Sequence, residues 1–392
     1  MTIQAWRALV YGEGYRAPKP EAAESALRAN PQFAIDDPHA AGVYSDQPPT
    51  SGMPAVAAYT HSSLSRLRPS EFADCVRRLI AAGADVNAGL ALYGAAGKNH
   101  QPEITRLLLD AGADSNDNES VYHSIEGRDL TCLNLLLAAG ARVKGTNAVN
   151  HSLDYDDLAC TQLLLDAGAD PNEGVPALFW AIRRRRSLAH VEALLKSGAD
   201  PRAHVHGLTM YRAALLFGLT DVASRLQAIT GEQETPADAF AAACARAGRV
   251  EATRLLEQNP RLIAEMPHQM LRLLPDSVEA GNIAGAKLMV ELGWPVAAQG
   301  GDWQATALNL AVFRGDPELT RFLLRHGATW QERHGYNDNV VGTLSFVSIE
   351  KPASRAWLDC ARALVEEGSM PPPSLQEYSF SPEVQRYFAS LH

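Results

Sequence analysis

Two histidines, His123 and His151, sit in matching triplets, Tyr122-His123-Ser124 and Asn150-His151-Ser152. Imidazole can ligate a metal or carry a proton near neutral pH. Two ligands do not close a metal site, which needs three or four. At equivalent places in neighbouring units they would stand roughly 10 Å apart on helix-stacking spacing. The plainer chemistry is packing and hydrogen bonding between units. His334 with Asp338, or His151 with Asp154, can be drawn as acid–base pairs. No nucleophile or oxyanion donor accompanies either. Cys132 and Cys160 align in the same way and read as buried structural thiols. The chain has no His-Glu-x-x-His helix, phosphate loop, dinucleotide fingerprint or Gly-x-Ser-x-Gly elbow. It is expected to be no enzyme, and to need no cofactor and no metal.

The elements that carry these residues come from a repeated phrase. It reads LIAAGADVN at Leu79–Asn87, LLLDAGADSN at Leu107–Asn116, LLLAAGARV at Leu135–Val143, LLLDAGADPN at Leu163–Asn172 and LLKSGADPR at Leu194–Arg202. A late copy is LLRHGAT at Leu323–Thr329, with weaker echoes at Met289–Val296 and Leu364–Met370. Consecutive glycines fall about 28–34 residues apart, the length of one short supersecondary unit. The leucines predict a helix that buries between units. Gly112, Gly168 and Gly327 then predict left-handed caps. Asp and Asn turn the chain outward. A second helix lies upstream of each phrase. Its best copy is Thr306–Ala311, where Thr306 is placed to cap. Small alanines (Ala95, Ala96, Ala181, Ala214, Ala311) let neighbouring helices close up.

This pattern resembles the ankyrin family, whose unit carries T-P-L-H-x-A-A, then G-H-x-E-I-V, then L-L-L-x-x-G-A-D-V-N. Ala91–Asn116 follows it almost throughout, and so does Thr306–Thr329. The segment His334–Ser345 also resembles one in a group of proteobacterial ankyrin proteins. The resemblance implies an all-α, ankyrin-repeat solenoid of about ten helix–turn–helix units with short β-turn loops. We divide the chain into 1–52, a divergent N-terminal capping unit and loop; 53–234, a first block of repeats; 235–300, degenerate repeats; 301–370, C-terminal repeats with an aromatic loop; and 371–392, a tail. In the degenerate block Asn259-Pro260 replaces the glycine turn, and Leu271–Leu274 is followed by Pro275.

The resemblance also implies where a partner would lie. First-helix positions facing the concave groove hold Gly97 and Lys98, Glu126 and Gly127, Asp154 and Tyr155, Arg183 and Arg184, Leu216 and Phe217, then Phe313 and Arg314. Aromatic and arginine side chains are the usual interface anchors. The candidate partner-binding residues are therefore Lys98, Glu126, Asp154, Tyr155, Arg183, Arg184, Phe217, Phe313 and Arg314, with Trp330 and Tyr336 on the aromatic loop. Alternatives stay open. Arg183–Arg186 could be a solvated turn, Phe217 and Phe313 could be core, and Trp303 with Trp330 could staple the last units together.

Composition narrows the partner. The 392 residues carry a formal net charge of -10, which opposes general nucleic-acid binding. No apolar run suits a bilayer, and residues 1–11 do not read as a signal peptide. The five scattered cysteines read as free thiols in a reducing, cytoplasmic setting, with signal-peptide-independent secretion left open. Scarce lysine beside plentiful Arg and Ala fits a GC-rich bacterial genome. The expectation is a protein-binding scaffold or adaptor, with no small-molecule substrate and no membrane. A toxin-neutralising immunity protein, a secreted effector acting on host proteins, and an enzyme using the C-terminal loop are the alternatives.

Overall fold

The computed structural model describes residues 1–12, 18–33, 54–350 and 355–391. Helices pair in sequence order, and two compact units result. Unit 1 is Met1–Ala177 with Lys196–Ala199, and unit 2 is Leu178–Leu195 with Asp200–His392.

In unit 1 the pairs are α1 (Ile3–Tyr11) with α2 (Pro20–Ala29), α3 (Ala55–His61) with α4 (Pro69–Ala81), and α5 (Ala91–Tyr93) with α6 (Pro102–Asp110). They continue with α7 (Ser120–Ser124) and α8 (Thr131–Ala138), then α9 (Ala148–Asp154) and α10 (Leu158–Asp166). First helices stack on first helices and second on second, as in α3 on α5 and α4 on α6. The fully buried Leu108, Leu136 and Leu164 fill the seams, and the buried Ala95 and Ala96 lie in the helical turn Gly94–Lys98 that continues α5.

The repeated phrase closes each second helix in one way. Gly112 and Gly168 take φ of +89° and +90°, as expected of left-handed caps. Gly112 N–H donates to Leu109 and Ala113 N–H to Leu108, which satisfies carbonyls the helix leaves open. The asparagine that ends the phrase does more than turn the chain. Asn87 Oδ1 accepts from the Asp114 N–H at 2.7 Å, and Asn116 Oδ1 from the Arg142 N–H at 2.9 Å. The turns after α4 and α6 are thereby each bonded to the one that follows.

Unit 2 takes nearly all of α11 (Ala177–Arg183) and α12 (Leu188–Lys196). It adds α13 (Met210–Leu216) with α14 (Thr220–Thr230), and α15 (Pro236–Ala245) with α16 (Arg249–Gln258). A short α17 (His268–Leu271) precedes α18 (Leu273–Glu279) and α19 (Ile283–Glu291). Then come α20 (Ala307–Arg314) with α21 (Pro317–Arg325), α22 (Val340–Glu350) with α23 (Arg355–Glu366), and α24 (Pro382–Ala389). Two hairpins project, β1 (His204–Val205) with β2 (Leu208–Thr209), and β3 (Gln299–Gly300) with β4 (Ala305–Thr306).

The degenerate stretch is fully paired. Pro275 sits in the first turn of α18, where a missing N–H costs nothing. Thr306 caps α20 by accepting from the Asn309 N–H, as read from sequence. The tail carries the short helix α24, and Phe380, Val384 and Phe388 are buried in the core of unit 2. The 36–52 loop of the capping unit lies outside the described residues.

Candidate functional site: an aromatic and carboxylate row in unit 1

Four successive first helices of unit 1 bring their rings into one line. His61 meets Tyr93 at 5.5 Å between centroids, and Tyr93 meets His123 at 5.0 Å. Tyr122 lies 4.9 Å from His123 and stacks on His151 at 4.0 Å and 2°. His151 then meets Tyr155 edge-on at 5.1 Å. Such edge and stacked contacts suit the ring quadrupole. Gly97 permits the approach. A Cβ there would stand 2.7 Å from both His123 Cβ and the Tyr93 ring.

Glu126 is the electrostatic hub. One of its oxygens, Oε1, lies 2.7 Å from His123 Nδ1 and 3.1 Å from His151 Nε2. Glu119 approaches His123 Nε2 at 3.3 Å, and Asp154 approaches His151 Nδ1 at 3.5 Å. Burial works to raise the Glu126 carboxyl, but the two histidines outweigh it and hold it at about 2. His123 is raised by its bond to Glu126. His151 is lowered by burial, yet Asp154 and Glu126 raise it on balance.

These shifts set a pH window. The depressed carboxyl stabilises the fold above the usual carboxylate range and loses that contribution as pH falls toward 2. The raised histidines stabilise below their usual value near 6.5 and lose it as pH rises through their folded values. The stability difference between wild type and Glu126→Gln should therefore peak between about pH 4.5 and 6.5 and shrink on both sides. Urea midpoints measured from pH 3 to pH 9 check this. A difference that rises steadily with pH would show that the histidines do not hold the carboxylate.

The residues expected to bind a partner separate into different environments. Glu126, Asp154 and Tyr155 meet in this row, and Tyr155 is 41% exposed. Lys98 is drawn away, its Nζ donating to the Tyr11 carbonyl at 2.8 Å. Arg183 is corrected from groove anchor to interior residue. It is only 5% exposed, paired with Glu279 at 2.5 Å and with Asp302. Arg184 joins Asp302 at 2.9 Å and lies over the Trp180 ring at 4.6 Å. Phe217 is corrected likewise. At 4% exposure it belongs to the core, the alternative left open by the sequence.

Phe313 is partly buried against Trp303 at 5.2 Å, and Arg314 donates to the Glu279 carbonyl at 3.3 Å. Trp330 packs against the core, the stapling alternative, while Tyr336 stands 80% exposed at the tip of its loop. Sequence reasoning missed His61, Tyr93, Tyr122 and Glu119 as members of the row. The aligned triplets could have pointed to Tyr122, and nothing comparable marks the other three. Among the described residues no group of three or more His, Cys, Asp or Glu could hold a metal ion. No helix among them is long and apolar enough to cross a membrane.

Residues 121–205 match the family model for ankyrin repeats in three copies. The chain carries ankyrin repeats. The helical pairs of each unit are consistent with an all-α ankyrin-repeat fold. Among solved structures, the human ASB11 ankyrin repeat domain is similar at 22% identity, over 66% of this chain and 98% of that chain, with a TM-score of 0.26. Among curated proteins nothing matches. Ankyrin repeats are generally protein–protein interaction modules, and the fold is typically a non-enzymatic binding scaffold.

Proposed function

We propose that this ankyrin-repeat protein is a non-enzymatic scaffold that binds a protein partner along the aromatic and carboxylate row of unit 1. The observation that carries the reading is the unbroken line of rings from His61 to Tyr155, flanked by Glu119, Glu126 and Asp154 and ending on an exposed tyrosine. A partner laid across it would touch several repeats at once. Rigid aromatic anchors lose little conformational freedom on binding. A cytoplasmic setting belongs to the same reading, supported by five cysteines that are buried free thiols.

The test begins with capture of the partner from the native source and its identification by mass spectrometry. Calorimetry on folded variants follows. Tyr155→Ala should weaken binding by about 1–4 kcal/mol, the range for a truncated aromatic anchor. Arg225→Ala, on a second helix and paired with Glu192 at 2.6 Å, should leave it unchanged. Equal affinity for wild type and Tyr155→Ala would move the interface away from this row.

A further inference from the structure

We infer that the turns after α6 and α8 form a recess that takes a phosphorylated serine or threonine side chain of a protein partner. None of its residues belongs to the ring row.

Four copies of the repeated phrase lie in unit 1, and one departs from the rest. After Gly-Ala, three copies hold Asp85, Asp114 and Asp170, followed two residues on by Asn87, Asn116 and Asn172. Each aspartate closes its own turn, its Oδ1 accepting from the N–H of that asparagine at 2.9, 2.9 and 3.0 Å. The copy after α8 holds Arg142 and Lys144 instead. A guanidinium cannot accept such a bond, and an ammonium cannot accept the joint that Asn87 and Asn116 make. Two places that serve the fold in the other turns are given to cations here. A local rule broken without gain to the fold points to a use outside it.

Both cations line one recess of about 170 Å³ between the two turns. Ser115, Asn118 and Thr146 add polar wall, and no carboxylate lines it among the described residues. The nearby acids are turned to other partners. Asp114 accepts from the Asn116 N–H, Asp117 from the N–H groups of Glu119 and Ser120, and Glu119 pairs with His123. The recess at the next joint, about 290 Å³, is lined by Asp170 and Glu173 and has the opposite sign. Positive charge is therefore not a property of these turns in general.

Arg142 is held ready. Its Nε–H donates to Asn116 Oδ1 at 3.3 Å, the same oxygen that takes its main-chain N–H. That tether leaves the two terminal nitrogens, and no carboxylate pairs with them among the described residues. Lys144 pairs with Asp170 at 3.6 Å, its side chain 68% exposed. So open a pair contributes little, and the ammonium is able to turn to a ligand. The exposed Asn118 makes no side-chain hydrogen bond among the described residues, which leaves its amide as a third donor. A phosphate monoester carries about two charges and three acceptor oxygens, a match for these three groups. The guanidinium fork bonds its oxygens in pairs, and the ammonium adds a point charge. A carboxylate would leave one donor unmet. No aromatic ring lines the recess to stack a nucleobase, and the net charge of -10 opposes a nucleic-acid backbone.

The probe is a fluorescein-labelled pentapeptide with phosphoserine between alanines, in physiological salt near neutral pH. Anisotropy should show saturable binding at least about tenfold tighter than for the same peptide with glutamate or unmodified serine. Arg142→Gln should weaken it at least about tenfold and Lys144→Gln at least about threefold. Arg106→Gln, the same charge change on α6, should leave it unchanged. The double variant Arg142→Asp with Lys144→Asn rebuilds the pattern of the other turns. It should abolish phosphopeptide binding and melt at or above the wild-type temperature. Absence of saturable binding, equal binding of the glutamate peptide, or a double variant that melts well below wild type would overturn the inference. So would inorganic phosphate or oligothymidylate binding as tightly as the phosphopeptide, since the recess would then serve a free anion or a nucleic acid.

Discussion

Replacing Arg183 with alanine is expected to lower the stability of unit 2 by about 3–5 kcal/mol, the usual result of removing one member of a buried ion network. Arg183 holds Glu279 and Asp302 directly and stands 3.7 Å from Asp276. Arg272 pairs with Asp276 at 2.9 Å, so Asp276 keeps a partner in the variant. Glu279 does not. It is mostly buried, and burial already pushes its carboxyl up. The variant can escape part of the loss by protonating that group, so the full effect belongs at pH 8 and a smaller one at pH 5. Arg183→Lys should recover little, because one ammonium cannot bridge two carboxylates as a guanidinium does. Urea unfolding followed by far-UV circular dichroism reads the change. A loss below about 1 kcal/mol at pH 8 would mean the network is solvated.

The second large effect is expected at Gly315. This residue ends α20 at φ +68°, with its N–H donating to the Val312 carbonyl. An added Cβ would run into the Trp357 indole. Trp357 is buried and donates its Nε1–H to the Val347 carbonyl, so it cannot swing aside freely. Left-handed strain contributes about 1–2 kcal/mol and overpacking about 1–3 more. Gly315→Ala should therefore lose about 2–5 kcal/mol. Gly327 provides the comparison, since it takes φ +95° but has open space around its Cβ position. Gly327→Ala should show the strain alone. Equal melting temperatures for the two variants would show that Trp357 yields.

The repeat was legible because its signals are local. A leucine helix needs a left-handed cap at its C-terminal end and a first helix needs an acceptor at its N-terminal end, and the glycines and Thr306 stand where those needs arise. The weak copies were harder to read for a reason of the same kind. Asn259 closes α16 without positive φ, and Pro275 looks like a breaker until its place in the first turn is known. The site was legible only in part. His123 and His151 announced themselves by alignment, but nothing in either triplet tells that both reach one Glu126 oxygen. Arg183 was placed on the groove by register. Its true partners lie 96 and 119 residues further on, beyond the reach of any local pattern. Phe217 was also placed by register, and a slot in a family register does not tell how deeply one particular side chain packs.

The bonds from Asn87 and Asn116 to the backbone of the following turn bear on how such an array changes length. Each joint demands one residue type in the earlier copy and only a main-chain N–H in the later one. It is indifferent to which copy comes next. A gene that gains or loses one whole block re-forms the joint at once, with no compensating substitution. The matching triplets at Tyr122 and Asn150 imply one duplication, although the first of those two copies ends in Val143 and has no asparagine to make the joint.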